Sequence, residues 1–403
     1  MSILNFMDKL LDGYEVAWKP LGEIGEFIRG NGLQKKDFTD TGFPAIHYGQ
    51  IYTRYGLEAK STFVYVNHEL AKKLKKAKKN DLLLATTSEN DEDVVKPLAW
   101  LGEDLAISGD MMLYRHRNNV KYLAHFFTSD SFQEQKRKFI TGAKVRRVSK
   151  DSLAKILIPI PCPDNPEKSL AIQAEIVRIL DAFTAMTAEL TAELTAELNM
   201  RKKQYNYYRD QLLSFEDGEV EWKALGKIAE INTGQKPSEI LDTEVEFDYI
   251  NAGTTRSGYC ALSNCEGDTV TTPSRGQGGI GFVGYQNKPF WLGPLCYKIR
   301  SIDNKALINK YLFYILQSKN QLLLGLKKEG GVPAVNKSDL AKLEVPVPSI
   351  KKQECIVAIL DKFDTLTCSI KEGLPREIEL RQKQYEYYRD LLLSFPKSEE
   401  VTA

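Results

Sequence analysis

The sequence predicts an α+β protein in which two α/β-type domains are separated by two long antiparallel, coiled-coil-like helices, with an internal pseudo-twofold repeat. Three observations predict this fold. Whole segments of the chain recur further along it, apolar residues follow a helical spacing over 44 consecutive positions, and short β-rich runs lie between glycine, asparagine and aspartate residues. The length of 403 residues corresponds to two or three domains.

The repeat consists of constant and variable parts. Two segments return 180 positions later without an insertion, and two others return at offsets of 204 and 187. These pairs are Gln173–Thr184 with Gln353–Asp364, Arg201–Phe215 with Arg381–Phe395, Glu15–Ile24 with Glu219–Ile228, and the runs that begin at Ser149 and Asn336. The unequal offsets mean that the material between the constant segments differs in length. We therefore expect an N-terminal arm (1–13), a first variable domain (14–165), a central spacer helix (166–216), a second variable domain (217–349), a C-terminal helical region (350–396) and a tail (397–403).

The constant segments have the pattern of long helices. Apolar residues recur every three or four positions through 170–213, and 44 residues of helix extend about 65 Å. The tetrapeptide TAEL occurs three times in succession, at 187–190, 191–194 and 195–198. An ordinary helical hairpin core and a spacer that fixes the separation of two domains both agree with this pattern.

The second copy of the helix is interrupted. Gly373 and Pro375 fall within it, which predicts a kink or two shorter helices. The residues expected on the spacer and partner-contacting stripe are Leu190, Leu194, Leu198, Tyr205 and Tyr208 in the first copy and Ile370, Leu374, Ile378, Tyr385 and Tyr388 in the second.

The variable segments have the pattern of α/β or α+β domains. The runs 43–52 and 81–88 are rich in β-forming residues and lie between turn-forming residues. Each variable segment ends in a short strand with a proline-rich exit, LIPIPCPDNP or LEVPVPSI, which leads into the constant helix.

The composition excludes several classes of protein. No run approaches eighteen apolar residues, and the N-terminal residues lack the basic start and apolar core of a signal peptide. The six cysteines form no CxxC pair and there are only four histidines, which argues against a structural zinc site or a disulfide framework and fits a reducing cytoplasm. The net charge of +1 means that any binding of nucleic acid must depend on local clusters of charge.

The sequence also lacks the common catalytic motifs. It contains no phosphate-binding GxxxxGK[ST] loop, no HExxH and no GxSxG. Gly276, Gly278 and Gly281 formally match GxGxxG, but the flanking residues predict a turn and a strand rather than the strand and helix of a dinucleotide site. His47, His68, His116 and His125 lack metal-ligand spacing, so we expect structural roles for them.

The remaining polar residues are of the types that bind a polyanion. Six lysines fall within residues 71–80, where a solvated helix face and a phosphate-contacting surface are both open interpretations. Arginine reads guanine, asparagine and glutamine read adenine, and lysine mainly holds phosphate. The candidate DNA-binding residues are Arg29, Asn31, Lys35, Lys36, Tyr48, Gln50, Tyr52, Arg54, Lys72, Lys73, Lys144, Arg146 and Arg147 in the first domain and Gln235, Lys236, Asn251, Thr254, Thr255, Arg256, Arg275, Gln277, Asn287 and Lys288 in the second.

These features together resemble one family. The twice-written plan, the WxxLG motif that opens each half and the RxKQYxYYRD helices resemble the specificity subunits of type I restriction–modification systems, and the TAEL run resembles one subclass of them. The resemblance covers the organisation of the whole chain. It carries over no catalytic residue, in agreement with the absence of catalytic motifs.

The resemblance implies a function. The variable domains would be target-recognition domains that each read one half of an asymmetric, bipartite site in double-stranded DNA. The constant helices would space these domains and dock two methyltransferase (modification) subunits, which bind S-adenosylmethionine and methylate adenine. Restriction/translocase subunits that use ATP and Mg²⁺ would join them. The chain itself would be a non-catalytic subunit without a cofactor.

Two other functions agree with parts of the sequence. A stand-alone regulator with duplicated DNA-binding domains is one, and a helical scaffold or adaptor without a nucleic-acid function is the other. Regulators usually read symmetric sites with identical modules. The two variable domains differ in sequence within one chain, which favours an asymmetric site. A pure scaffold would have no need for loops rich in arginine, asparagine and glutamine in both halves.

Overall fold

A computed structural model describes residues 9–216, 218–276, 278–328, 332–368 and 373–395. These residues form two compact units. The first unit contains 9–192 and 379–395, and the second contains the described residues between 193 and 378. Within these ranges no helix is both long enough and apolar enough to cross a membrane.

From Val16 to Pro161 the first unit contains fourteen named strands and six short helices, and it shares helix α7 with the second unit. In chain order they are β1 (Val16–Pro20), α1 (Leu21–Ile24), β2 (Gly25–Arg29), a 3₁₀ turn (Lys35–Asp37), β3 (Phe38–Thr39), β4 (Phe43–Ile46), α2 (Tyr48–Thr53), β5 (Glu58–Ala59), β6 (Val64–Val66), α3 (His68–Ala71), β7 (Lys76–Ala77), β8 (Leu82–Ala85), β9 (Thr87–Ser88), β10 (Lys96–Trp100), β11 (Leu105–Ile107), β12 (Met111–His116), α4 (Val120–Phe127), α5 (Asp130–Arg137), β13 (Arg146–Arg147), α6 (Lys150–Ala154), β14 (Leu157–Pro161) and α7 (Pro166–Leu212).

The elements that follow α7 lie in the second unit, except for most of the last helix, which belongs to the first. They are β15 (Glu221–Ala224), α8 (Leu225–Ile228), β16 (Ala229–Thr233), β17 (Phe247–Ile250), β18 (Tyr259–Cys260), β19 (Thr269–Pro273), β20 (Gly284–Gln286), β21 (Trp291–Leu292), β22 (Cys296–Ser301), α9 (Asn309–Ser318), α10 (Asn320–Gly325), α11 (Lys337–Leu340), β23 (Glu344–Val347), α12 (Ile350–Cys368) and α13 (Leu374–Leu393).

The sheets of the two units follow the same plan. In the first unit the main sheet has the order β2-β12-β8-β10-β5, and in the second it has the order β16-β22-β19-β20. A further sheet in each unit contains a parallel pair, β4 with β11 or β17 with β21. A two-stranded antiparallel sheet, β1 with β14 or β15 with β23, joins the start of each domain to its proline-rich end. The repeat seen in the constant segments therefore extends to the framework of the variable domains.

Strand β8 lies at the centre of the first domain. Its residues are all buried, and successive side chains point to opposite faces of the strand. Leu82 and Leu84 belong to one apolar core, which also includes residues of α4 and α7, whereas Leu83 and Ala85 belong to another. Burial on both faces explains why this segment is continuously apolar instead of alternating.

The WxxLG motif has a packing role in both domains. Leu21 and Leu225 are fully buried. A Cβ atom on Gly22 would lie 3.0 Å from the Cβ of Ala154, and in the second domain a Cβ atom on Gly226 would lie 2.8 Å from the Cβ of the equivalent alanine. Glycine at this position therefore allows the short helix after β1 or β15 to approach the helix before β14 or β23.

A buried glutamine ties the constant helix to each domain. The Oε1 atom of Gln173 accepts a hydrogen bond from the amide of Asn119 (2.9 Å), and its Nε2 donates to Oδ1 of Asn118 (3.0 Å). At the equivalent position, Oε1 of Gln353 accepts from the amide of Ile308 (2.9 Å), and Nε2 donates to two backbone carbonyls at 2.9 Å. Both glutamines are completely buried. Each therefore caps the start of a domain helix while lying inside a constant helix.

A tyrosine hydrogen bond is also repeated at both junctions. The hydroxyl of Tyr122 donates to the carbonyl of Pro159 (2.8 Å), and that of Tyr311 donates to the carbonyl of Pro346 (3.1 Å). These bonds connect the domain helix, α4 or α9, to the last strand of its domain.

An aspartate of the constant helix forms an ion pair with the same domain helix. Asp181 accepts from Nζ of Lys121 at 2.5 Å, and Asp361 lies 3.4 Å from Nζ of Lys310. The constant segments thus carry the same anchoring residue types twice, at the offset of 180 seen in the sequence.

Within each unit an aromatic pair joins α7 to a later constant helix. Phe183 stacks on Tyr388 of α13 in the first unit, with ring centroids 5.6 Å apart. In the second unit Tyr208 of α7 stacks on Phe363 of α12, with centroids 5.8 Å apart. The two pairs are equivalent in the repeat. The phenylalanine comes from α7 in the first unit and from α12 in the second, and the tyrosine comes from α13 in the first unit and from α7 in the second.

The prediction for the second copy of the long helix is confirmed. Its described residues form two helices, α12 ending at Cys368 and α13 beginning at Leu374. Gly373 has a φ of +87°, a conformation that glycine adopts without strain, and Pro375 lies in the first turn of α13, where proline is tolerated. Ile370, one of the predicted stripe residues, lies outside the described residues.

The prediction of a β-rich run at 43–52 is only half right. Residues 43–46 form β4, but the chain then turns into helix α2. His47 begins this helix, since its Nδ1 accepts from the amide of Gly49 (3.3 Å) and Oε1 of Gln50 accepts from the amide of His47 (2.9 Å). This capping arrangement ends the strand, and it outweighs the β-propensity of the tyrosine and isoleucine that follow.

We predict that the buried glutamines are required for stability. Replacing Gln173 or Gln353 by leucine keeps the approximate size of the side chain but leaves the partner amide and carbonyl groups unpaired, so each variant should lose about 2–4 kcal/mol of unfolding free energy. Urea unfolding followed by circular dichroism measures this loss. Gln211→Leu changes an exposed glutamine of α7 and should stay within about 0.5 kcal/mol of the parent. Equal effects of the three substitutions would contradict the role of the junction.

Candidate nucleic-acid interface

The lysine-rich run of the first domain lies on turns and on an edge strand. Helix α3 ends at Ala71, and the chain continues through a turn into β7. Ala71, Leu74 and Ala77 are buried and hold this segment to the domain. The exposed lysines between and after these residues are Lys72, Lys73, Lys75, Lys76, Lys78 and Lys79. The helix face that was one interpretation of this run is not formed, but the cluster of exposed positive charge is.

The loop after β2 lies against the lysine-rich run. The Nδ2 atom of Asn31 donates to the carbonyl of Lys73 (3.0 Å), and its Oδ1 accepts from the amide of Lys75 (2.7 Å). The Nε atom of Arg29 donates to the carbonyl of Gly109 (3.2 Å). Arg29, Asn31 and the lysines predicted as phosphate ligands therefore lie in one region, and the amide of Asn31 holds that region together.

A cleft of about 630 Å³, called cleft 1 here, lies between the segment 47–53 that follows β4 and the segment 87–93 that follows β8. It brings together four of the predicted DNA-binding residues, Lys35, Tyr48, Gln50 and Tyr52. The polar residues that line it and were not predicted are His47, Thr53, Thr87, Ser88, Glu89, Asn90 and Asp93.

Two of the predicted residues have internal roles in the wall of cleft 1. Gln50 is buried and its amide oxygen is used by the cap of α2. The hydroxyl of Tyr52 donates to the carbonyl of Thr87 at 2.9 Å, and burial raises the pKa of this hydroxyl. Burial and the nearby ammonium group of Lys35 lower the pKa of His47. The DNA contacts of Gln50 and Tyr52 stay predictions, but their hydrogen bonds already fix the shape of the cleft.

A buried lysine holds the other wall of cleft 1. Lys136 of α5 is completely buried, and its Nζ donates to the carbonyls of Glu92 (2.8 Å) and Val94 (2.9 Å). Burial lowers the pKa of this ammonium group to about 8. Val95, two positions after this wall, has a φ of +69°, which is strained for a β-branched residue. The loop is therefore held in one conformation by contacts from the domain core.

The other basic residues predicted in the first domain lie on its surface. Arg146 and Arg147 form β13, which pairs with β9 beside cleft 1. Arg146 is already paired with Asp91, with Nε and Oδ1 2.7 Å apart. Among these other basic residues, Arg29, Lys36, Arg54, Lys144 and Arg147 are exposed.

The second domain has a cleft of about 480 Å³, called cleft 2, beside β17, β19 and β20. Thr254, Thr255 and Arg256, all predicted DNA-binding residues, line it. The guanidinium of Arg256 lies 4.5 Å from the ring centroid of Tyr259, and its Nη1 lies 3.4 Å from Oδ1 of Asp248. These two contacts orient the exposed arginine at the cleft.

The other described residues that were predicted in the second domain lie outside cleft 2. Asn251 uses its Oδ1 to accept from the amide of Leu295 (2.9 Å), so its side chain has a role within the fold. The exposed residues of this group are Gln235, Lys236, Arg275, Asn287 and Lys288, and Gln277 lies outside the described residues. The glycine-rich segment near Gly281 is followed by strand β20, as its flanking residues predict.

Sequence reasoning missed the polar side chains of the 87–93 wall. The available signal was a fully apolar strand, β8, that ends in the polar run TTSENDED. The acidic residues in that run argued against DNA binding when only residue type was considered.

A family model for the type I restriction modification DNA specificity domain matches residues 15–200 and again residues 218–380. The chain belongs to this family. The two matched segments correspond to the two copies of the repeat, each with its variable domain and its constant helix.

Relatives from Escherichia coli and Haemophilus influenzae are similar over nearly the whole chain. The specificity subunit of the type I restriction enzyme EcoR124I/EcoR124II from Escherichia coli is 38% identical over 100% of both chains. The specificity subunit of EcoprrI from the same species is 37% identical, covering 92% of this chain and 93% of the relative. A putative type I specificity subunit from Haemophilus influenzae is 30% identical, covering 97% and 98%. The chain is accordingly a non-catalytic DNA specificity subunit.

Solved structures support the fold. A chain from a study of complex assembly and conformational transition of the type I R-M system has a TM-score of 0.65 at 18% identity, covering 94% of this chain and 97% of that one. The HsdS subunit from Thermoanaerobacter tengcongensis has a TM-score of 0.53 at 17% identity, covering 94% and 95%. The arrangement of strands and long helices is thus a fold of specificity subunits.

We predict a pH-dependent contribution of Lys136 to stability. Its folded pKa of about 8 lies below its ordinary value of 10.5, so the unfolded chain binds more protons between these pH values. Stability therefore rises with pH in this window through Lys136, by at most about 3 kcal/mol. Lys136→Met lacks this rise. Urea unfolding of the two proteins from pH 7 to 10 measures the difference, and parallel curves would contradict the prediction.

Proposed function

We propose that this chain reads an asymmetric, bipartite site in double-stranded DNA, with one half-site for each variable domain, and that it docks two methyltransferase subunits that methylate adenine. One observation carries this proposal. The same strand framework occurs twice in the chain, and a cleft lies beside corresponding strands in both copies but is lined by different polar residues. A common framework with different linings is suited to reading two different sequences.

The proposal assigns target-recognition domains to residues 14–165 and 217–349. The arm (1–13), the spacer helix (166–216), the C-terminal helical region (350–396) and the tail (397–403) complete the chain. In the first domain, the six exposed lysines between 72 and 79 supply phosphate contacts, because a cluster of mobile positive charges binds the DNA backbone without reading bases. The loops around the clefts supply the contacts to bases.

The constant helices offer a surface for the methyltransferase subunits. Tyr207 and Tyr387 occupy equivalent positions in the repeat, and they are 61% and 64% exposed. Their neighbours Tyr208 and Tyr388 are instead stacked on phenylalanines within their units. Exposed aromatic rings at repeated positions are typical of protein interfaces and would give two equal sites for two equal subunits. The partners would bring S-adenosylmethionine, and restriction/translocase subunits would bring ATP and Mg²⁺.

We also place the chain in the subclass whose central helix carries TAEL repeats as a spacer. The three repeats lie within the continuous helix α7. Leu190, Leu194 and Leu198 are half-buried, as expected for a stripe along one face of the helix. The stand-alone regulator is the weaker alternative, because differently lined clefts do not suit a symmetric site.

Exchange of the first domain tests the proposed function. Replacing residues 22–148 by the corresponding domain of another family member should change one half-site and leave the other unchanged, because the second variable domain and both constant helices, with Gln173 and Asp181, are retained. The measurement is methylome sequencing of cells that carry the chain with its methyltransferase partner. A simultaneous change of both half-sites would contradict modular reading, and a parent motif that is not bipartite would contradict the proposed function itself.

Shortening the TAEL run should shorten the unread spacer between the half-sites. Deletion of Thr191–Leu194 removes close to one turn of α7, so Leu190 and Leu198 stay near the same stripe while the helix becomes about 6 Å shorter. One base pair spans about 3.4 Å, and a helix that crosses the DNA obliquely projects less than its full length. We expect the spacer to lose one to two base pairs, with both half-sites unchanged, in the methylome of the variant.

A smaller deletion provides the control for this experiment. Removing only Thr191 and Ala192 rotates everything beyond them by about 200° and turns the apolar stripe away from its partners, so methylation should be largely lost. An unchanged spacer with full activity in the four-residue deletion would show that the TAEL run does not set the spacing.

A further inference from the structure

Clefts 1 and 2 occupy corresponding places in the two frameworks. Each lies beside a strand that runs parallel to its neighbour, β4 in the first domain and β17 in the second. The opposite side of cleft 1 is formed by the segment that follows β8, and the opposite side of cleft 2 is formed by β19. These two strands are equivalent, because β8 pairs with β12 in the first main sheet and β19 pairs with β22 in the second. The repeat therefore preserves the position of the cleft, although the sequences around it do not match.

The 87–93 wall of cleft 1 presents unpaired hydrogen-bond acceptors. Glu89 is exposed at the cleft, and its carboxylate has no hydrogen-bond or ion-pair partner among the described residues. The neighbouring Asn90 and Asp93 instead bond to each other, with Nδ2 and Oδ2 2.8 Å apart. Thr87 lines the same cleft and is only 7% exposed, yet its hydroxyl oxygen finds no partner in the described part of the chain. The wall of cleft 1 therefore contains one carboxylate and one hydroxyl whose hydrogen-bonding capacity is not used within the described residues.

Cleft 2 presents donors. Arg256 has five N–H groups, and its contacts with Tyr259 and Asp248 hold the guanidinium while leaving it half exposed. Thr254 and Thr255 precede it along the same wall. Asp248 is the one carboxylate among the described residues that line cleft 2, and it is paired with Arg256. The described lining of cleft 2 therefore has no unpaired carboxylate equivalent to that of Glu89 in cleft 1.

The two linings suit base edges of opposite hydrogen-bonding character, donors for cleft 1 and acceptors for cleft 2. A carboxylate can only accept hydrogen bonds, so it fits the exocyclic amino group of cytosine or adenine in the major groove. A guanidinium can only donate, so it fits O6 and N7 of guanine. A carboxylate near the DNA backbone is repelled by phosphate, which lowers affinity for every sequence unless the carboxylate binds a base.

We infer that clefts 1 and 2 are the base-reading sites of the two domains, and that Glu89 determines specificity for an amino-bearing base in one half-site while Arg256 determines specificity for guanine in the other. This inference rests on the proposed function. It deepens that function by naming the site and the polarity of reading in each domain.

The rigid wall of cleft 1 is consistent with this role. A reading group must be held in position before DNA arrives, because ordering a flexible loop on binding reduces discrimination. The buried ammonium of Lys136 and the hydroxyl of Tyr52 both donate to carbonyls of the segment that carries Glu89. Glu89 itself takes no part in these hydrogen bonds, so it can be replaced without removing the support of the loop.

The test uses the full chain in complex with its methyltransferase partner. Methylome sequencing first defines the parent motif, and duplexes with single base-pair changes then compete for the complex. Glu89→Gln should lose roughly ten-fold or more of its discrimination at one base pair of the first half-site, with the second half-site unchanged. Arg256→Gln should lose a similar factor at one G·C pair of the second half-site, with the first unchanged.

Two controls separate reading from general binding. Lys72→Ala removes an exposed charge and should weaken all duplexes alike, and Glu103→Gln changes an exposed carboxylate of the same domain that does not line cleft 1. Thermal unfolding of each variant tests whether the fold is kept, and Glu89→Ala provides a second variant if Glu89→Gln is unstable.

Three results would overturn the inference. The first is unchanged discrimination in both Glu89→Gln and Arg256→Gln. The second is a uniform loss of affinity in these variants like that of Lys72→Ala. The third is a second half-site without any G·C pair. A parent complex that methylates no bipartite site would instead overturn the proposed function, so the two failures are distinguishable.

Discussion

The fold depends on the junction at which each constant helix meets its variable domain. Gln173 and Gln353 are buried side chains whose polar groups must be satisfied, and their partners lie at the start of a domain helix. Removal of either set of hydrogen bonds would leave buried polar groups unpaired. The free-energy cost of an unpaired buried polar group exceeds the net stabilisation that its hydrogen bond provides. The junction therefore fixes where a domain begins relative to its helix, and the same solution is used twice.

Much of this framework is predictable from sequence, because it is made of repeated and periodic signals. The offset of 180 identified the constant helices, and the interruption at Gly373 and Pro375 predicted a kink or two shorter helices in the second copy, of which the described residues form two helices. The proline-rich exits predicted short strands, which form β14 and β23. These signals are local, since helix period, turn residues and proline act within a few positions of where they occur.

The clefts were not predictable in the same way. Cleft 1 combines the cap of α2, the end of β8 and a lysine from α5, which are separated by up to about 90 positions in the chain. The β-propensity of 43–52 concealed the cap at His47, and the acidic run after β8 concealed a polar wall. Lys136 has an ordinary basic helix sequence around it, and only its burial shows that it supports a loop. Tertiary packing, which no short pattern encodes, decides these features.

The residues that stabilise each variable domain are different from the residues that distinguish the two variable domains from each other. The junction contacts of Tyr122 and Tyr311, or of Asp181 and Asp361, use equivalent residues in both copies. The side chains that line the two clefts differ in type and in charge. Because Glu89 takes no part in the hydrogen bonds that hold the wall of cleft 1, exposed lining groups of this kind can change without loss of the fold. In the proposed function, a duplicated framework in one chain can then read two unlike sequences, which two identical subunits related by symmetry could not do.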